Sequence, residues 1–341
     1  MRFEYYHPGL DDVPKLSVDG TVSNSVHFSH WQGNETPAQL KADTSTEIAL
    51  NLVAAPNRNE LTRGIELVTN NHFDTDGVLS VWTVLTGERA LDFREQLIPA
   101  AEAGDFSEFT NEAAVCASIV IQGSDQPIPD SDSHSPLAFQ LAGENVDDAR
   151  AYELVLPEVE RVLTRTNEYE PLWRRAWDKI ATAIESFERG ASTVTEFGEA
   201  GVSLITLAPD IFSPSGFNPT RHAAPYTAIS RYAKGRFFLV TTPFMNGWAY
   251  RIDYPYYSWA ETIIRPRIAR RDFSPMLKEL NRQEGERAGL WKLDNNEMTS
   301  AIKFLGSDGT LAASTLAPDK VAQVVRAEMM SGEASAAIGS V

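Results

Sequence analysis

The sequence predicts an α/β protein, a parallel sheet with flanking helices, followed by a second, sheet-rich α+β domain. Three observations carry that expectation. Short apolar strand-like runs alternate with longer helix-like ones through the N-terminal part, as in a parallel sheet covered by helices. From Ser192 onward the apolar period changes to two, the period of a strand with one buried face. The length, 341 residues, exceeds what one hydrophobic core usually organises, so two domains are expected, at 1–166 and 167–341.

Taken in order, residues 15–18 and 25–29 read as strands. Thr44-Ser45-Thr46-Glu47 is a capping-box pattern in which Thr44 or Asp43 caps a helix running to Pro56. Residues 65–69 form the next strand, and beyond Gly77 the spacing of Val78, Leu79, Val81, Trp82, Val84 and Leu85 fits a buried helix. Residues 91–103 read as a helix stopped by Gly104, and 111–121 as another. The stretch 123–136, rich in Ser, Asp and Pro, reads as an exposed loop or lid. Helices follow at 149–165 and 169–189, the second with Trp173, Trp177 and Ile180 on a core-facing stripe. In the second domain, 193–197, 202–207, 236–241 and 248–254 read as antiparallel strands, with late helices at 273–284 and 318–330 and a frayed tail beyond.

Composition narrows the function classes. Hydrophobic residues make up 43% and charged residues 23% of the chain, which describes an ordered globular protein. A formal charge of -17 repels polyphosphate backbones, so broad nucleic-acid binding is not expected, whereas a small anionic substrate reached through a local basic patch is. No apolar run has the length of a membrane span or the form of a secretory signal, so the expectation is a cytoplasmic protein with no membrane partner, for which a homodimer is an admissible assembly. The single cysteine, Cys116, excludes an intrachain disulfide and any cysteine-based zinc site. No dinucleotide fingerprint, Walker loop, Gly-x-Ser-x-Gly elbow or His-Glu-x-x-His helix is present.

One string carries chemistry. Val68-Thr69-Asn70-Asn71-His72-Phe73-Asp74-Thr75-Asp76-Gly77 leads from an apolar strand into alternating metal-grade side chains and then a glycine. In an extended segment alternate side chains share a face, so His72, Asp74 and Asp76 are expected to converge. Such a trio calls for a divalent cation, manganese or magnesium first, with zinc or iron as alternatives. The blander reading makes Asp74 and Asp76 caps of the next helix. Asp105, after Gly104, is a candidate further ligand, and Asp43, just before a helix, the next. His30 follows a strand, and the backbone amides around Gly33, Asn34 and Thr36 could hold an anion. His72, Asp74, Asp76, Asp105 and Asp43 are thus the expected metal set, and His30 and His72 the expected proton-transfer groups. Asn71, Asn34, Arg221, His222 and Arg251 are the expected substrate contacts, the arginines because late arginines concentrate positive charge.

Asn71-His72-Phe73-Asp74-Thr75-Asp76-Gly77 resembles the first motif of the Asp-His-His (DHH) phosphoesterase superfamily. That resemblance implies a DHH-like fold, a manganese pair and phosphoester hydrolysis, with Asp74 and Asp76 matching the two metal-binding aspartates and His72 the first position. The chain as a whole also resembles a family of uncharacterised bacterial proteins marked by Ser29-His30-Trp31-Gln32-Gly33-Asn34-Glu35-Thr36-Pro37, by the string around His72, and by Ala103-Gly104-Asp105-Phe106. An Asp-His-His string is absent from the sequence. Its absence keeps open a non-catalytic ligand-binding protein as an alternative, and a metal-dependent enzyme of carbon-nitrogen chemistry is another, because the same metal-activated water serves carbonyl substrates.

Overall fold

A computed structural model of the chain describes residues 1–123, 134–209, 226–285, 289–294 and 301–338. Most of the expected lid, and both Arg221 and His222, lie outside the described residues. The chain forms two compact units, Met1–Lys179 with Trp259–Arg267, and Ile180–Ser258 with Ile268–Val341.

In the first unit β1 (Arg2–Phe3), β2 (Lys15–Val18), β3 (Val26–Phe28) and β4 (Leu67–Thr69) make a sheet in the order β1-β4-β2-β3, with every pairing parallel. β2 and β4 are buried along their whole length, although β2 (Lys-Leu-Ser-Val) alternates in polarity. Its two polar residues are satisfied by backbone: Ser17 Oγ donates to the Gly20 carbonyl (3.0 Å), and the buried Lys15 ammonium to the carbonyls of Leu10 (2.8 Å) and Asn24 (3.2 Å), so no carboxylate is needed to keep it there. β1 is two residues long, too short to give a periodic signal.

The helices of this unit are α1 (Ser45–Ala54), α2 (Arg58–Leu61), α3 (Thr75–Thr86), α4 (Arg94–Phe106), α5 (Glu112–Gln122), α6 (Pro136–Ala142), α7 (Asp148–Val155), α8 (Val159–Thr164) and α9 (Glu170–Glu188), whose last half belongs to the second unit. Their starts are chemical. Thr44 caps α1 through the Glu47 N–H, Asp74 caps α3 through the Gly77 N–H, and Asn111 caps α5 through the Ala114 N–H. Gly104 does not stop α4 as expected, and the helix runs on to Phe106 and ends at Ser107 with φ 50°. Cys116 is buried in α5, and that burial pushes its thiol up to about 12. Among the described residues no helix is long and apolar enough to cross a membrane.

The second unit contains β5 (Thr193–Phe197), β6 (Val202–Thr206), α10 (Tyr226–Tyr232), β7 (Phe237–Phe244), β8 (Gly247–Asp253), α11 (Ser274–Glu284), β9 (Gly289–Asp294), β10 (Ala301–Gly306) and α12 (Pro318–Ile338). Its sheet, in the order β5-β6-β7-β8-β10-β9, is mixed rather than antiparallel, because β6 pairs parallel with β7. An alternating pattern fixes which face is buried, not the direction of the neighbour. One face packs Val202, Leu204, Leu239 and Ile252 under Met276 and Leu280 of α11 and Val321 and Val325 of α12. The other packs Ile205, Phe238 and Val240 against Tyr226 and Ile229 of α10.

Candidate metal centre

Parallel pairing sets the site. Ser17 lies opposite Thr69 and Val18 opposite Phe28, so the carboxyl ends of β2, β3 and β4 finish at one edge, the edge at which open α/β sheets take ligands. Asp19 leaves β2, His30 leaves β3 two residues beyond its end, and the 70–74 loop leads from β4 into α3. Asp19 adopts the left-handed conformation at φ 52°, which aspartate tolerates better than most residues and which turns the chain sharply away from the strand.

The His30 ring is fully enclosed. Its Nδ1 lies 2.6 Å from the carbonyl oxygen of Asp43. A carbonyl only accepts, so Nδ1 carries the proton and Nε2 is the atom turned into the cluster. Nε2 lies 3.1 Å from Asp105 Oδ2, 3.4 Å from Asp19 Oδ1 and 3.7 Å from Asp76 Oδ2, yet is aligned for a hydrogen bond with none of them. His72 differs in that its Nε2 does make a hydrogen bond, with Asp19 Oδ2. Its Nδ1 meets Asn71 Oδ1 at 3.2 Å, while Nε2 lies 3.1 Å from Asp19 Oδ2 and 3.2 Å from Asp74 Oδ2. With its Nδ1 proton committed to the Asp43 carbonyl, a neutral His30 ring turns a lone pair toward carboxylate oxygens, which is unfavourable unless a proton or a metal cation stands between them.

The carboxylates are anchored from behind. Asp76 sits in the first turn of α3 and accepts from the N–H groups of Ser45 (2.7 Å) and Thr46 (2.7 Å), at the positive end of α1. Asp74 accepts from the Gly77 N–H (2.7 Å) and keeps its other oxygen on His72. Asp19 Oδ1 accepts from Ser45 Oγ (2.9 Å) and Trp31 Nε1 (3.3 Å). Asp105 reaches the centre from the last turn of α4, where Gly104 lets the helix lie against α3; a Cβ there would stand 2.6 Å from Thr75 Cβ. Donor atoms of Asp19, His30, Asp76 and Asp105 lie within 4.8 Å of one another, and so do those of Asp19, His72 and Asp74. Asp19 belongs to both groups. The first group is buried, while the His72 and Asp74 side chains are 30% and 18% exposed, so the centre opens on their side.

Protonation follows the crowding. Burial, then the charge of Asp19, pushes Asp76 up to about 7, and burial with the charges of Asp74 and Asp76 holds Asp105 well above the ordinary carboxylate range. Burial works against charge on His30, yet Asp105 and Asp19 raise it well above its ordinary value; Asp74 and Asp19 likewise outweigh the desolvation of His72. Burial opposes charge on Asp19 too, and the two histidines more than offset it, holding its carboxyl low. Protons on His30, His72, Asp76 and Asp105 thus offset the crowded carboxylate charge.

Of the expected residues, His30, His72, Asp74, Asp76 and Asp105 come together, with Asn71 holding His72. The reason differs from the expected one. Residues 70–74 are loop, not strand, and Asp76 is helical, so convergence comes from a turn and a cap rather than from alternation. Asp43 does not direct its carboxylate inward; it accepts from the backbone N–H groups of Ile263, Ile264 (2.8 Å) and Arg265 (2.9 Å) and from the Arg265 guanidinium (2.8 Å). The loop expected to hold an anion holds one of the chain's own, since Gly33 N–H and Asn34 Nδ2 both donate to Glu261. Arg251 is buried in the second unit on Asp253 and Tyr226. Asp19 was not anticipated; its signal was the one already read in the string around His72, an acid set immediately after an apolar strand and before a glycine.

Fold and site together define an α/β protein whose parallel strands end on a buried Asp/His cluster that could hold a metal ion. The chain belongs to a family of unknown function, DUF6687, whose model matches residues 2–336. No curated protein matches it. Among solved structures it is similar to the pGpG-specific phosphodiesterase PggH from Vibrio cholerae, at 8% sequence identity and a TM-score of 0.36, over 93% of this chain and 99% of that one. A likeness at that score fixes neither fold nor activity.

Proposed function

We propose that the chain is a metal-dependent hydrolase of the phosphoesterase type acting on a small anionic substrate. The observation that carries this reading is the pair of imidazole Nε2 atoms facing the two oxygens of one buried carboxylate, Asp19, with Asp76 and Asp105 on one side and Asp74 on the other. Asp19, His30, Asp76 and Asp105 would hold one divalent ion, and Asp19, His72 and Asp74 a second. Four carboxylates balance two such ions while both imidazoles stay neutral, as ligands must. Carboxylate oxygen with a minority of imidazole nitrogen suits manganese or magnesium and admits zinc or iron. Bound there, the ions would supply Lewis-acid polarisation of an ester oxygen and a lowered proton affinity of water, the chemistry of hydrolysis at neutral pH.

The chain's own groups divide the remaining work. His30 is sealed in and serves only to hold and orient. His72 and Asp74 border the open side, where, as ligands of the second ion, they would hold it within reach of an entering substrate. The resemblance of the string around His72 to the first DHH motif supports phosphorus over carbon as the centre attacked. Elemental analysis of protein purified without chelator, followed by assay with Mn2+ or Mg2+ on phosphomonoesters, phosphodiesters and amides, tests the reading. Bound metal with phosphoester release, both lost in Asp19→Asn, is expected. Less than one ion per chain would remove the proposal, and release from amides alone would move it to carbon-nitrogen chemistry.

A further inference from the structure

We propose that Arg265 is a positioning residue for this centre, setting the aim of His30 and the reach of Asp105 at once. The inference rests on the metal-site reading for its purpose, though not for its geometry. Arg265 belongs to Trp259–Arg267, a segment of the first unit that the chain supplies late. That segment grips His30 in three ways. Glu261 donates its N–H to the His30 carbonyl at 2.7 Å, and the Trp259 ring stands edge-on to the imidazole at a centroid distance of 4.9 Å. The third grip is indirect. The backbone of residues 263–265 and the Arg265 guanidinium saturate the Asp43 carboxylate, and the carbonyl of that same Asp43 accepts the His30 Nδ1 proton. Immobilising Asp43 therefore fixes which nitrogen of His30 faces the carboxylates.

The other edge of the same guanidinium holds α4. Arg265 Nη2 donates to Glu102 (2.7 Å) and to Glu108 (2.6 Å), Nε donates to Glu108 (2.9 Å), and the group lies over the Phe106 ring at 4.9 Å. Glu102 and Glu108 bracket Asp105, which lies 3.1 Å from His30 Nε2. One planar donor thus spans two elements that carry ligands to a common point, a geometry that a lysine ammonium cannot copy. An ordinary surface ion pair does not fit the description, because the Arg265 side chain is only 15% exposed and meets three carboxylates.

The test compares wild type with Arg265→Ala and Arg265→Lys, and with Arg89→Ala as a control for loss of a surface ion pair with Glu160. In Mn2+ titrations Arg265→Ala is expected to bind roughly 10–100-fold more weakly, the usual cost of losing a partner behind the ligands, with Arg265→Lys recovering only part and Arg89→Ala unchanged. A second readout needs no metal. In 15N-histidine NMR of metal-free protein, the hydrogen-bonded His30 Nδ1 proton, assigned by its loss in His30→Gln, is expected to be downfield and slow to exchange in wild type, and to lose both properties in Arg265→Ala while His72 is unchanged. If Arg265→Ala fails to fold, the same pair of measurements on Arg265→Lys decides, with a weakened His30 signal expected. An unchanged His30 proton in a folded variant overturns the proposal. If the wild type binds no Mn2+, the metal reading fails separately and the His30 proton still decides whether Arg265 positions the ring.

Discussion

Asp19 is the side chain on which both halves of the centre depend, since each of its oxygens faces a different histidine. Asp19→Asn keeps the shape and removes the shared charge, so it is expected to lower metal content in both positions. His72→Ala, by contrast, should deplete only the position on the open side and leave the buried ion measurable by elemental analysis. Protonation gives a further expectation at this scale. Asp76 carries an ordinary value of 3.8 in the unfolded chain and about 7 in the metal-free fold, so between those pH values the folded state binds more protons than the unfolded one, and stability falls as pH rises. The raised values of His30 and His72 act in the same direction, their contribution being lost as pH rises through them, while the low Asp19 acts only below the usual carboxylate range, where stability instead grows with pH. Denaturant midpoints of chelated protein should therefore decline from about pH 4 to beyond pH 7. Saturating Mn2+ should remove the decline. A flat profile in chelator would contradict the crowding described for these side chains.

Close approach of α3 and α4 is the element-level requirement, because Asp76 rides on one helix and Asp105 on the other. Gly104→Ala places a methyl group against Thr75 and is expected to cost roughly 1–3 kcal/mol in urea unfolding as the helices separate. Metal affinity should fall with it, which a purely local defect would not produce. Elements of this kind were largely legible in the sequence. Residues 15–18 and 193–197 form strands with the expected limits, and Thr44 caps α1, because apolar period and capping chemistry are local properties. The pairing of β6 with β7 and the continuation of α4 through Gly104 were not legible, since neighbours distant in sequence decide both. The site divides along the same line. His72, Asp74 and Asp76 share one string and could be read together, whereas the use of Asp43 is set by a residue 222 positions away.

At the scale of the whole molecule, an ion bound only by the folded state couples occupancy to stability. Mn2+ at about 100 times its dissociation constant should add about 2.7 kcal/mol for a single site, visible as a rise in melting temperature that Asp19→Asn abolishes. Addition of the same ion without any rise in the wild type would separate the cluster from metal binding altogether. The continuity of the chain has a consequence of another kind. The first unit is complete only with Trp259–Arg267, so during synthesis its sheet, helices and carboxylates are present long before the segment that grips His30 and Asp43 has left the ribosome. Through that interval the His30 carbonyl and the Asp43 carboxylate lack the partners that later hold them. In the finished fold Asp19, His30, Asp76 and Asp105 are all nearly inaccessible. Ordering of the inner ligands is then a late event: in pulsed hydrogen exchange during refolding, the His30 Nδ1 proton should gain protection no earlier than the backbone N–H groups of Glu261, Ile264 and Arg265.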